Sequence, residues 1–349
     1  DVLDQILAKE IGNIGDIITS AFDKTAGGLY LEANGETKLQ SEWPALFSIV
    51  GLPTYPVNSV MTQPVTLPPG GSTGAAMSVD GTYFALSTST TPYISIYKNI
   101  SNVFTKLSTP AVIPPSAGTG CAISGDGVYL TVNTGAPDYI NNYSRSGDVY
   151  TKIASPAVVP TGAGLGCAYS SDGAYMTSIF ASPPYLLSYN NVAGAYTALT
   201  APVVLPPGAP AAVAHSGDGA FLAVVYGPSP YFTIYKLVGS QYVALVTPAE
   251  IPTGAPSGIS LNYDGTLLAV SMPSAPYLMI YKRSGDVFTK LENPANIDAS
   301  AASDVSFSSS GDFLAVVYVN SPFFSMYRKD NGSFIKLEGQ GTIPSTAAT

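Results

Sequence analysis

Charge is what this chain has least of. Only 11% of its 349 residues are Asp, Glu, Lys or Arg, and 14 basic against 23 acidic residues leave a formal charge of -9. A chain with no basic face does not bind a phosphate backbone, so nucleic acid is excluded as a partner. Histidine occurs once, at His215, and cysteine twice, at Cys121 and Cys167. That scarcity excludes a His-based metal cluster, and it excludes a Ser-His-Asp set anywhere but at that one position. Carboxylates are too sparse for any repeat to supply the converging pair that glycoside hydrolysis needs. No apolar run reaches the roughly 18 residues of a membrane span, so no membrane insertion is expected.

What the chain has instead is a period. A unit of 46 residues recurs six times, marked by Asp-Gly at Asp80, Asp126, Asp172, Asp218 and Asp264 and by Ser310-Gly311 in the last copy. Seventeen residues after each mark stands a tyrosine: Tyr97, Tyr143, Tyr189, Tyr235, Tyr281 and Tyr327. Thirteen after it stands an aromatic, Tyr93, Tyr139, Tyr185, Tyr231, Tyr277 or Phe323. No insertion breaks this register. A unit so short cannot bury its apolar faces alone and must stack on copies of itself. Each copy reads as four short strands: from Gly120, CAIS, the Asp-Gly turn, VYLTV, a loop, YINNYS, a second turn, and VYTKI. Four strands per 46 residues is the blade of a β-propeller.

The repeated Asp residues read as turn formers, because Asp-Gly supplies the positive φ that a two-residue hairpin needs. The aromatics at thirteen and seventeen share parity along the third strand, so they are expected on one face, packed between blades. The fourth strand, with Phe104-Thr105-Lys106-Leu107 in the first copy, reads as an outer, half-exposed edge whose lysine discourages further pairing. Pro110 to Pro115 and its later copies read as ordered, extended crossings from the outer strand of one blade to the inner strand of the next. Both ends of the chain stop in such a crossing, so ring closure is expected to rest on packing between the first and last blades.

Cys121 and Cys167 occupy equivalent places in adjacent blades, too far apart for a disulfide, and read as small core residues. His215 fills a core slot held elsewhere by Met77, Ile123, Tyr169, Leu261 and Phe307. Asp138 replaces the proline of a Pro-Tyr pair and Asp298 a crossing proline, each alone. No catalytic, cofactor-binding or metal residues are assigned, and no cofactor is expected.

The pattern S-x-D-G-x-Y/F/L-x-A, at Ser78 to Ala85 and Ser216 to Ala223, resembles the WD40-like propeller repeats over about 270 residues. Ahead of the repeats, residues 2–22 space Leu7, Ile11, Ile14 and Ile18 by four and three, a short coiled-coil seam suited to assembly as a homo-oligomer, with a trimer as the expected order. The stretch from Gly28 to Gly51 resembles the phage tail-collar motif through Asn34, Gly35, Trp43, Pro44, Ala45, Leu46, Phe47 and Gly51. That resemblance implies a virion protein on or near a tail fibre. Asn34 also lies 46 residues before Asp80, in phase with the repeat, so this stretch has a rival reading as a seventh blade.

The expected architecture is therefore all-β. A six-bladed β-propeller, alternatively seven-bladed, spans residues 59–349, preceded by an assembly helix over 1–23 and a collar-like segment over 24–58. The expected function is a non-enzymatic structural or adhesion component of a bacteriophage particle, joined to other virion proteins by its N-terminal segment. Its outer contact would be a host-surface glycan or protein. The alternatives are a decoration or connector protein, and a lactonase- or glycosidase-like propeller hydrolase, which uniform repeats disfavour because catalysis needs nonequivalent acidic residues at inner-strand ends.

Overall fold

The computed structural model describes residue 64 and residues 66–337. The expected assembly helix and the collar-like motif lie outside the described residues.

Within them the chain is a six-bladed β-propeller of four-stranded antiparallel sheets, each strand paired with the next in sequence. The first blade runs Ser72–Met77, Tyr83–Thr88, Ile94–Ile100 and Val103–Lys106 from the axis outward. The Asp-Gly turns set the register between the first two strands. Gly81 and its five counterparts all take φ between +64° and +76°, where a Cβ would be strained. The Asp80 carboxylate accepts from Ser78 Oγ at 2.6 Å and from Thr82 N at 2.9 Å, so its short side chain closes the turn on itself.

Burial peaks at the second strands of blades two to five, which are almost wholly buried, as a sheet packed on both faces requires, whereas the outermost strands alternate, with Val149 and Thr151 exposed and Tyr150 buried between them. The tyrosines at position seventeen are among the largest fully buried side chains, all at 1% exposure or less. Tyr97, Tyr189 and Tyr281 donate to crossing carbonyls, those of Thr66, Val158 and Glu250, at 2.8–3.1 Å. The aromatics at position thirteen differ from the expectation of a shared strand face. Tyr93, Tyr185, Tyr231, Tyr277 and Phe323 lie in the loop before the third strand at φ between +62° and +75°, half-buried, so strand parity does not reach them.

Successive blades are held by two devices. The inner strands approach so closely that a Cβ added to Gly74 would sit 2.9 Å from the Gly120 Cα, and one on Gly120 would sit 3.0 Å from the Gly166 Cα. At the Asp-Gly end a relay of backbone bonds crosses every junction from blade one to blade six: Val79 N to Gly125 O, Gly125 N to Ser171 O, Ser171 N to Gly217 O, Asp218 N to Tyr263 O, and Tyr263 N to Ser309 O, at 2.8–3.1 Å. Two junctions, blade one to two and blade four to five, add an ion pair and a stacked guanidinium. Lys98 pairs with Asp148 and Arg145 lies over Tyr83; Lys236 pairs with Asp286 and Arg283 lies over Phe221.

The relay stops at blade six. Among the described residues no such bond links blade six to blade one, and the surfaces that face this junction stay open. Phe313 is 42% exposed and Val317 45%, where Leu267 and Val225 at the same places are 2% and 0%. Direct packing of the last blade on the first therefore does not close the ring, contrary to the sequence expectation.

The inner-strand spacing makes the glycine column a sensitive test. Gly120→Val inserts three carbons where one already meets backbone, and should lower the free energy of unfolding by roughly 1–3 kcal/mol or more. Urea denaturation measures it; an unchanged midpoint would show that the strands separate at no cost.

Candidate functional site

Because each blade is a sequential antiparallel meander, its turns divide between two ends. The Asp-Gly turns and the turns before the outermost strands lie at one end; the proline crossings and the loops before the third strands lie at the other. The crossing end is largely apolar, with Val112, Val158, Val203 and Val204 exposed along it.

The carboxylates at that end follow a rule visible only across blades. Asp138 pairs with Lys152 of the outermost strand of its own blade, Glu250 with Lys290, and Asp298 with Lys336. Blades three and four carry no such acid and have Ala198 and Ala244 where those lysines stand. The first two pairs are loose, at 3.5 and 3.7 Å with exposed acids, and exposed pairs contribute little. The third is tight. Asp298 accepts from Lys336 Nζ at 2.6 and 2.8 Å and from the buried Ser325 Oγ at 2.5 Å, beside the Tyr318 and Tyr327 hydroxyls, which meet at 3.2 Å. Every polar group in this cluster has a partner within it, so it is a satisfied staple between a crossing and its blade.

His215 is likewise satisfied. Its Nε2 lies 2.9 Å from Thr177 Oγ1 and its Nδ1 lies 3.3 Å from the Tyr242 hydroxyl, and burial pushes the imidazole down to about 3, so it is neutral at physiological pH. Cys121 and Cys167 are free thiols pointing at the Ala85 and Thr131 carbonyls of the preceding blades, and burial pushes the Cys121 thiol up to about 11. Neither is poised as a nucleophile. Among the described residues no three His, Cys, Asp or Glu side chains gather as metal ligands.

One carboxylate breaks the repeat at the axis. Asp304, in the inner strand Ala302–Phe307, stands where the other five blades have Gly74, Gly120, Gly166, Ala212 and Gly258. A methyl group on Gly258 would overlap the Asp304 carboxylate, so the glycine leaves the space this side chain occupies. Burial raises the Asp304 carboxyl above the ordinary carboxylate value, opposed by a 2.8 Å bond from Val305 N, and no other charged group contributes. The residue as a whole keeps an open side, so water reaches the group although its carboxyl is crowded. The crowding disfavours the ionised carboxyl, and water on the open side moderates that effect. The sequence reading singled out Asp138 and Asp298 and missed Asp304; the signal was its place in a column of glycine and alanine.

No family model matches this chain, and no curated protein matches it. Solved structures do. A protein from Bacteroides fragilis carrying a provisional 6-phosphogluconolactonase assignment is 14% identical, with a TM-score of 0.59, over 76% of this chain and 83% of its own. A Lactobacillus plantarum protein is 17% identical at a TM-score of 0.56, over 78% and 85%. The hydrazine synthase of Kuenenia stuttgartiensis is 15% identical at 0.54, over 73% and 83%. At such identities the likeness is one of fold. It nevertheless corrects the expected function: no tail-collar or virion family matches, and two of these three proteins carry enzyme names. The collar-like spacing from Asn34 to Gly51 was too short a match to carry a virion assignment, and repeat uniformity was a poor reason to exclude an enzyme.

The Asp298 staple yields a coupling test. Lys336→Ala alone leaves the carboxylate half-buried and unpaired, and Asp298→Pro alone strands the ammonium. The double variant restores the Pro206 and Ala244 pattern of blade four. Urea unfolding should show the double variant less destabilised than the sum of the singles, by about 1 kcal/mol or more; strict additivity would remove the staple.

Proposed function

We propose that this chain is a propeller hydrolase acting on a small ring ester of the lactone class, with Asp304 as the proton acceptor. The observation that carries the reading is Asp304, the one inner-strand carboxylate among the described residues, with raised proton affinity among small, uncharged counterparts. A general base works best when its proton affinity moves toward the working pH, and burial moves Asp304 in that direction. Opening a lactone by water requires one such base: Asp304 removes a proton as the water oxygen attacks the carbonyl carbon, and the ring oxygen leaves as an alcohol after taking a proton. Glycoside hydrolysis requires a second carboxyl within about 5–10 Å, and no other charge perturbs Asp304, which favours the ester over the glycoside. The fold likeness to a provisional lactonase supports the same choice without fixing the substrate.

Asp304→Asn should lower kcat toward a panel of five- and six-membered sugar lactones by about 100-fold or more. A folded, intact protein that opens none of them ends the reading. Stability separates this role from a structural one. The folded-state proton affinity of Asp304 is above the unfolded value, and its ionised form is the one burial disfavours. Its destabilising contribution is thus absent below the unfolded value of 3.8 and complete above the raised one. At pH 7 Asp304→Asn should therefore unfold no earlier than the parent while losing activity, and the acid limb of the parent's kcat/KM should lie above pH 3.8. A variant that loses activity because it unfolds would assign Asp304 to packing instead.

A further inference from the structure

Two blade junctions are clamped by the same short turn, and a third copy of the surface that receives it stands unfilled. In blades two and five the turn before the outermost strand reads Arg-Ser-Gly-Asp, at 145–148 and 283–286. Its arginine lies flat against its own blade: Arg145 Nε donates to Gly127 O at 2.9 Å and Arg283 Nε to Gly265 O at 2.8 Å. The free face of each guanidinium then covers a ring of the preceding blade, with Cζ 4.0 Å from the Tyr83 centroid and 4.2 Å from that of Phe221. The aspartate of the turn takes a lysine of that same blade. Lys98 reaches Asp148 at 2.8 and 3.0 Å, and Lys236 reaches Asp286 at 2.7 and 3.0 Å. The receiving surface is thus one cross-strand pair, Tyr83 opposite Lys98 and Phe221 opposite Lys236.

Pair and turn occur together. Ser144, Asn190 and Leu267 break the pair in blades two, three and five, and the turns of the blades that follow these three lack Arg-Ser-Gly-Asp. Blade six has the pair complete, with Phe313 opposite Arg328. The Phe313 ring is 42% exposed where Phe221 is 4% and Tyr83 6%, and Arg328 is exposed and forms no ion pair among the described residues. Blade one, next around the ring, has a turn running from Asn99 to Asn102, with neither charge.

We propose that Phe313 and Arg328 receive a partner protein through a turn that carries arginine and aspartate three residues apart. The two internal clamps define the chemistry: a guanidinium stacks on the ring, and a carboxylate pairs with the cation beside it. Arginine in place of lysine suits that role, because its planar fork holds a carboxylate by two parallel bonds. The arginines of these 349 residues are Arg145, Arg283 and Arg328, so the chain holds no third such turn. In a second copy both turns are already engaged at their own junctions. The inference does not depend on the proposed activity.

Three arginines make the test direct. The full-length chain labelled with 15N-arginine gives three Nε–H resonances, and the probe is a backbone-cyclised hairpin with the sequence of residues 281–288. The Arg328 resonance should shift saturably, with a midpoint of about 1–5 mM, while those of Arg145 and Arg283 stay in place and report that the propeller is intact. Asp286→Asn or Arg283→Ala in the peptide should each weaken binding about threefold or more, and so should Phe313→Ala in the protein. No shift at about 10 mM peptide would overturn the proposal. Equal binding of the Asp286→Asn peptide would do the same, since the contact would then lack the stated chemistry. So would movement of Arg145 or Arg283 in place of Arg328, or a shift that grows with protein concentration alone, which would assign the surface to a second copy.

Discussion

The distance between neighbouring inner strands is the constraint on which this molecule depends. Six sheets can share an axis only if their innermost strands pack with almost nothing between them, and the glycines from Gly74 to Gly258 show how little room is left. Everything farther out follows from that spacing. The Asp-Gly turns must project at a fixed angle for the backbone relay from Val79 to Ser309 to cross each junction. The buried tyrosines fill the wedge that widens with radius, and the hydroxyls of Tyr97, Tyr189 and Tyr281 reach the crossing carbonyls.

Such an arrangement tolerates little variety near the axis and more at the rim, which is where the blades differ. At the crossing end each of Asp138, Glu250 and Asp298 meets the lysine of its own outermost strand, and blades three and four lack both. Arginine and lysine clamp two junctions at the other, without changing the strand register beneath them. A single departure at the axis is therefore informative in a way that a departure at the rim is not. Asp304 stands in a column where Gly74, Gly120 and Gly258 leave no room for a Cβ, and the crowding of its carboxyl disfavours the charged form.

The repeat made most of the fold legible. The 46-residue phase, the Asp-Gly marks and the tyrosines at seventeen were enough to place four strands per blade and to put Tyr97 and its counterparts in the packing, because those features follow from local backbone geometry and apolar patterning. The aromatics at thirteen were misplaced, since a positive φ in the preceding loop breaks the alternation that parity assumes. The candidate site was harder to see. Its one residue is ordinary in sequence and becomes unusual only when the inner strands are laid side by side, while the collar-like stretch drew functional weight that no family match supports.

By itself the sequence determined that the protein is a ring of near-identical four-stranded units, because period, turn chemistry and strand alternation are properties of one unit repeated. It also fixed that any imidazole chemistry has only His215 to draw on. Only the tertiary structure decided that the sixth blade does not pack on the first, and that Asp304 is crowded at the axis while Asp298 is neutralised at the rim. Those are matters of distance between units, and a distance between units is set by how sheets pack in three dimensions, which no local pattern encodes.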